Sequence, residues 1–161
     1  LSSAILIWNN ARVYNLDVAI GGSIDPGDHQ KNYFTNVNIG IYANTWNSNS
    51  IKIMGNKFDN SNYFMEPLNT IFYNSAITIQ SPTHAYPHTP DEARTAIIGH
   101  YQIYDNEITD FRIGIFAGRL RNLRVGTDEN DVELPNKIHF HLGSNPGTTE
   151  NYAGIWLQNC R

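Results

Sequence analysis

The residues of this chain that could do chemistry are few and lie far apart. Carboxylates fall in separate runs: Asp25 with Asp28, Asp91 with Glu92, and Asp128, Glu129 and Asp131. A Ca²⁺ site would need several of them on one face, and acid–base catalysis would need a base held beside them. Asp105 and Asp110 bracket Asn106-Glu107-Ile108-Thr109 and read as corner residues rather than a catalytic pair. His84 and His88 have the spacing that puts two metal ligands on one helix face. Pro82, Pro87 and Pro90 forbid that helix, so the stretch reads as an extended loop. His139 and His141 alternate with Ile138, Phe140 and Leu142, which turns the imidazoles outward as surface groups. No nucleophile triad, G-x-G-x-x-G or phosphate loop is present. Catalytic residues are therefore unassigned, and neither a metal nor a cofactor is expected.

The elements that must position these residues are strands. The chain has 161 residues, enough for one domain spanning 1–161. It carries 21 Asn, 19 Ile, 12 Gly and 9 Tyr against 4 Lys and 2 Met, which excludes a coiled coil or helical bundle. Abundant β-branched and aromatic residues with a net charge of −4 exclude disorder. No apolar run approaches a membrane-spanning length, so no membrane span is expected. Arg119, Arg121 and Arg124 are followed at once by Asp128, Glu129 and Asp131, so no basic footprint for nucleic acid survives. Cys160 stands alone, without a disulfide or CxxC partner. Low Lys with much Asn, Thr, Ser and Tyr has the look of an extracellular or cell-surface bacterial protein. The chain opens on the alternation of Ile5 and Ile7 and closes on Ile155 to Leu157. That predicts a piece of a longer protein, partnered at both ends by neighbouring parts of the same parent chain.

An internal repeat organises the sequence. Asn32-Tyr33-Phe34-Thr35-Asn36 precedes Gly40-Ile41, and Asn106-Glu107-Ile108-Thr109-Asp110 precedes Gly114-Ile115 at the same spacing. Ala11-Arg12-Val13-Tyr14-Asn15 leads to Ala19-Ile20, and Asn56-Lys57-Phe58-Asp59-Asn60 leads, after an insertion, to Ala76-Ile77. Gly154-Ile155 is a fifth ending. An I-x-I element often comes first, as in Ile51-Lys52-Ile53 and Tyr101-Gln102-Ile103. The endings at Ile20, Ile41, Ile77, Ile115 and Ile155 are 21, 36, 38 and 40 residues apart, the short step reading as a bare coil. Helical spacing is absent, apart from one helical turn allowed by Pro90 to Ile98.

Stacked coils would bury continuous apolar columns that no single short strand can bury alone. Val18-x-Ile20, Ile39-x-Ile41, Ile113-x-Ile115 and Ile155-x-Leu157 are expected to face inward. Asn suits the corners, where it tolerates left-handed backbone, and equivalent Asn residues in register would form an amide ladder. The I-x-I-x-x-N-x-φ-x-N-x-x-x-G-I run resembles the right-handed parallel β-helix repeat of the pectin-lyase-like superfamily, over most of residues 5–60 and 97–157. The resemblance implies an all-β, right-handed parallel β-helix (a β-solenoid) of about four to five coils with long loop insertions. It also implies a choice of functions, since the superfamily holds polysaccharide lyases, hydrolases, epimerases, tailspikes and surface proteins. The paired aspartates, Gly-His-Gly and Arg-Ile-Lys of the polygalacturonase-like hydrolases are missing; Arg112-Ile113-Gly114 only begins like the last.

The residue after each ending should face outward, which lines up Tyr42, Phe116 and Trp156, with Thr78 filling one place. Trp46, in Asn44-Thr45-Trp46-Asn47, joins them as a candidate binding residue from a loop. An exposed aromatic column suits sugar rings or a partner surface. The plainer expectation is that insertions at 61–75, 81–96 and 116–137 fold over it and cover it. The expected function is a structural and binding segment of a larger secreted or surface protein, partnered by a glycan or a cell-surface protein. The alternative is a polysaccharide-active enzyme (lyase, hydrolase or epimerase) with its site partly outside this chain, or a tailspike-like trimer.

Overall fold

Short strands with one apolar face become stable only by stacking, and here they stack in parallel. A computed structural model describes residues 3–9, 17–22, 31–45, 50–61, 74–81, 99–140 and 153–160. Among them are thirteen strands and no helix. They are β1 (Ser3–Asn9), β2 (Asp17–Gly21), β3 (Tyr33–Thr35), β4 (Ile39–Thr45), β5 (Ser50–Met54), β6 (Lys57–Asp59) and β7 (Ser75–Gln80). The rest are β8 (Tyr101–Tyr104), β9 (Glu107–Thr109), β10 (Ile113–Gly118), β11 (Leu123–Val125), β12 (Lys137–His139) and β13 (Ala153–Gln158).

Three parallel sheets result. Sheet A runs β1-β4-β7-β10-β13, sheet B runs β11-β8-β5-β2, and sheet C runs β12-β9-β6-β3. The chain therefore visits A, B and C in turn, which is the path of a parallel β-helix-like solenoid. The N-x-φ-x repeat is the B-to-C corner followed by a sheet C strand, and G/A-I opens a sheet A strand.

Register corrects one member of the repeat. Ile5, Ile41, Ile77, Ile115 and Ile155 lie side by side in sheet A, so successive coils are 36, 36, 38 and 40 residues long. Ile20 belongs instead to sheet B, beside Ile53 and through it Ile103. Ala19-Ile20 imitates the G/A-I ending because every sheet B strand carries the same I-x-I alternation. The bare coil of 21 residues does not exist. The Ala11 to Asn15 head, the His84 and His88 pair, and the helical turn expected at Pro90 to Ile98 lie outside the described residues.

The small residue of G/A-I has a steric cause. A Cβ on Gly40 would sit 2.6 Å from Ala76 O and from the Phe58 ring, and one on Gly114 would sit 2.5 Å from Gly154 O. Both positions point into the core, where Ala76 also packs, and the following Ile points in as well. Two successive inward residues mark the bend from sheet C into sheet A. The expected inward pairing of Ile39 with Ile41 and of Ile113 with Ile115 is therefore wrong. Ile39 and Ile113, both register partners of Ser75, are buried outside the central cluster, on the outer side of the bend. Ile155 and Leu157 do share the inward columns of Ile115 and Ala117, but β13 is an edge strand and they are 47% and 53% exposed.

The interior is a set of columns. Sheet A contributes Ile41, Ile77 and Ile115 with Ala43, Ile79 and Ala117; sheet B contributes Ile51, Ile53, Tyr101 and Ile103. In sheet C, Phe34 stacks on Phe58 with ring centres 4.7 Å apart, and Phe111 meets Phe58 edge-on at 6.3 Å. Each such side chain contributes about 1.5–3 kcal/mol on burial.

Asparagines close the B-to-C corner. Asn32, Asn56, Asn106 and Asn136 form a ladder in which each Nδ2 donates to the next Oδ1 at 3.0, 3.0 and 2.9 Å. The same Nδ2 groups donate to sheet B carbonyls one coil back: Asn56 to Ile20 O, Asn106 to Ile53 O and Asn136 to Ile103 O. Asn56 and Asn106 are buried, so these bonds satisfy groups that water cannot reach. The second Asn or Asp of the motif turns the next corner. Asn36 and Asp110 hold φ of 55° and 59°, and Asp105 holds 53° beside the ladder. Both aspartates thus serve as corner residues.

Candidate functional site

Two outer faces carry side chains that could meet a ligand. On sheet A, outward positions alternate with the Ile columns, and register stacks Leu6, Tyr42, Thr78, Phe116 and Trp156 at about 4.8 Å per step. The expected column of Tyr42, Phe116 and Trp156 therefore exists as a row. Its centre is buried: Thr78 and Phe116 are each 6% exposed. Tyr42 and Trp156 are half-buried, and the Phe116 and Trp156 rings meet edge-on at 6.1 Å. Gln80 Nε2 donates to the Tyr42 hydroxyl at 2.6 Å. Phe116 also leans along its own strand onto Gly118, where a Cβ would come within 3.2 Å of the ring.

Leu6 and Trp8, which the sequence reading did not select, are the open part of this face, at 60% and 56% exposure. The signal for them was present. Ile5 and Ile7 point in, so Leu6 and Trp8 must point out, and Leu6 joins the column once Ile5 replaces Ile20 as its first neighbour. Trp46 lies outside the described residues, and Asn44 and Thr45 before it belong to β4 rather than to a turn. Of the insertions expected to cover the column, 116–137 is no insertion. It contains the end of β10, all of β11 and the start of β12, and its one excursion lies against sheet B.

That excursion builds the second site. After β11 the chain makes a hairpin, bridged antiparallel between Thr127 and Glu133, and rejoins the coil where Leu134 N–H donates to Gly126 O at 2.8 Å. Asp128 organises its tip: Oδ1 accepts the N–H groups of Asn130 at 2.8 Å and Val132 at 2.9 Å. The Val132 N–H, followed by that of Asn130, holds the Asp128 carboxyl below its ordinary range. The hairpin folds back across the outer face of sheet B and sets Glu129 Oε2 2.6 Å from Lys52 Nζ, two strands away. This bond raises the Lys52 pKa. Arg124 pairs with Asp131 and donates to Asp128 O. Tyr104, its pKa raised mainly by burial, donates from its hydroxyl to Met54 Sδ.

Between hairpin and sheet lies a cleft of about 330 Å³, lined by Asp17, Ser50, Lys52, His100, Gln102, Arg124 and Glu129, with Ile51. Register gives the outward row Lys52-Gln102-Arg124 and sets Asp17 beside Ser50, whose hydroxyl accepts the His100 N–H at 3.2 Å. Gln102, 6% exposed, stands in the middle of the outward row. Asn122 Nδ2 lies 2.6 Å from His100 Nδ1. An amide nitrogen only donates, so Nδ1 accepts and the neutral ring carries its proton on Nε2.

The remaining acids and histidines among the described residues build no further cluster. Among the described residues, no three His, Cys, Asp or Glu side chains gather as a metal site. His139 is exposed on β12, as its alternation with Ile138 requires, and His141 lies outside the described residues. No helix among the described residues is long and apolar enough to cross a membrane. Set against protein-family models, curated proteins and solved structures, the chain matches none.

Proposed function

We propose that this chain is a structural and binding segment of a larger secreted or cell-surface bacterial protein, a rigid β-helix that presents its outer faces and loops to glycans or protein partners. Kinship with the right-handed helices of the pectin-lyase-like superfamily is part of the proposal, supported by the repeat and by the parallel three-sheet path. The observation that carries the binding role is the outward row on sheet A, where Leu6, Trp8, Tyr42 and Trp156 offer apolar surface beside a buried centre. Aromatic planes beside polar groups such as Gln80 and Asn44 suit the mixed faces of sugar rings.

Binding is favoured over polysaccharide cleavage by what the acids already do. Asp105 and Asp110 hold left-handed corners, Asp128 caps the hairpin tip, and Glu129 is paired with Lys52. A glycan-array screen tests the reading, with the chain compared against Trp8→Ala, Tyr42→Ala and Trp156→Ala. The expected result is binding to a defined set of glycans that falls at least tenfold in these variants. Glycan binding unchanged in all three would refute the aromatic face as the site. Binding to no glycan would leave protein partners as the reading to pursue.

A further inference from the structure

The cleft over sheet B is a different surface from the aromatic row, and its chemistry is specific. We propose that it is a separate ligand site, one that takes a neutral, hydroxyl-rich ring of the size of a single pyranose unit.

Three observations point there. The first is Gln102, a residue only 6% exposed that lines the cleft between Lys52 and Arg124. Its amide oxygen and NH₂ together match a pair of adjacent hydroxyls, one donating and one accepting. The second is charge balance. The lining holds two fixed cations, Lys52 and Arg124, against two carboxylates, Asp17 and Glu129. Lys52 is already bonded to Glu129 and Arg124 to Asp131. An anionic ligand would have to break these pairs, whereas a hydroxyl group can donate to the carboxylates and accept from the cations while they persist. The third is His100, whose Nδ1 accepts from Asn122, leaving an Nε2–H donor.

Size agrees: about 330 Å³ is near the lower end of ligand pockets, roughly 300–1,000 Å³, and suits one small ring. With no Phe, Tyr or Trp among the described lining residues, recognition rests on hydrogen bonds exchanged against water, so affinity falls in the millimolar range.

The test is an NMR titration of the full chain with the methyl α-pyranosides of glucose, mannose and galactose, and with galacturonate as the charged comparison. At least one neutral glycoside is expected to shift the Gln102 side-chain NH₂ and the Lys52 and Arg124 amides saturably. Gln102→Leu should weaken that binding at least tenfold, and Tyr33→Ala, exposed on sheet C, should leave it unchanged. Should Gln102→Leu fail to fold, Lys52→Met, on the cleft's more open side, is expected to weaken binding in the same sense. The proposal is overturned if no neutral glycoside moves these resonances up to ~100 mM, far above a ~1 mM Kd. Saturation by galacturonate alone, or wild-type binding by the folded variants, overturns it equally. Because the aromatic row is tested on other residues, either site can fail without the other.

Discussion

Replacing Asn106 by alanine removes the central rung of the ladder, and its cost can be worked from the bonds. Asn106 Oδ1 accepts from the Asn56 N–H at 3.1 Å and from Asn56 Nδ2 at 3.0 Å. Its Nδ2 donates to Ile53 O, Tyr104 O and Asn136 Oδ1 at 3.0, 2.9 and 2.9 Å. Several of these partners keep a second bond. Asn56 Nδ2 retains Ile20 O and Met54 O, Tyr104 O retains the Gly55 N–H, and Asn136 Oδ1 retains the Asn106 N–H. The Asn56 N–H has no such reserve and is left as an orphaned donor at a site 0% exposed. An orphaned buried donor costs about 1–3 kcal/mol, and each net bond lost about 1 kcal/mol more. Together these give about 3 kcal/mol, which in a chain of this size lowers Tm by roughly 6–12 °C. Asn136→Ala is the comparison. That change also frees the Asn106 N–H, but position 136 is half-buried, so water entering in place of the lost amide reaches that donor, and the expected cost is about 1 kcal/mol. Denaturant unfolding followed by circular dichroism reads both. If Asn106→Ala cost no more than Asn136→Ala, burial would not set the worth of the ladder and the reasoning would fail.

Two further outcomes follow from the geometry. Gly114→Ala should destabilise by about 1–3 kcal/mol, because its Cβ would press on Gly154 O at 2.5 Å. Gly154→Ala should be nearly neutral, its Cβ finding nothing closer than Ile138 Cδ1 at 3.8 Å, and thermal melts of the pair check the contrast. The hairpin over the cleft should be held only between two pH limits. The lowered Asp128 pKa gives a contribution present above the ordinary 3.8 and lost as pH falls through the folded value. The raised Lys52 pKa gives one present below 10.5 and lost as pH rises through its folded value. Hydrogen exchange at the Asn130 and Val132 amides should therefore quicken in acid; protection unchanged well below pH 3.8 would count against Asp128 as the organising group.

Much of the solenoid is legible in the order of residue types, because each feature answers a local steric or polar demand. Asn at the corner must bond upward and downward, Gly or Ala must fit against the next coil's carbonyl, and alternating Ile must point inward. Those demands recur once per coil and leave a repeat in the chain. Local pattern could not decide which I-x-I belongs to which sheet. Val18-Ala19-Ile20 and Ile39-Gly40-Ile41 look alike, yet one pairs with Ile51 and Ile53 and the other with Ser75 and Ile77. Hidden behind that ambiguity were the outward Leu6 and Trp8, and Asn136 as the fourth rung of the ladder, masked by Phe140 where the motif wants Asn or Asp.

The cleft was not legible at all. Lys52 and Glu129 are 77 residues apart, and nothing near either announces the other. They meet because parallel stacking sets β5 two strands from β11 and because the Asp128 turn sends the hairpin back across both. The sequence alone determined strand type, corner chemistry and the inward columns, since short-range sterics and burial dictate these. Tertiary structure alone decided register, and with it which polar side chains share a face, because neighbours in a stacked solenoid are one whole coil apart in the chain.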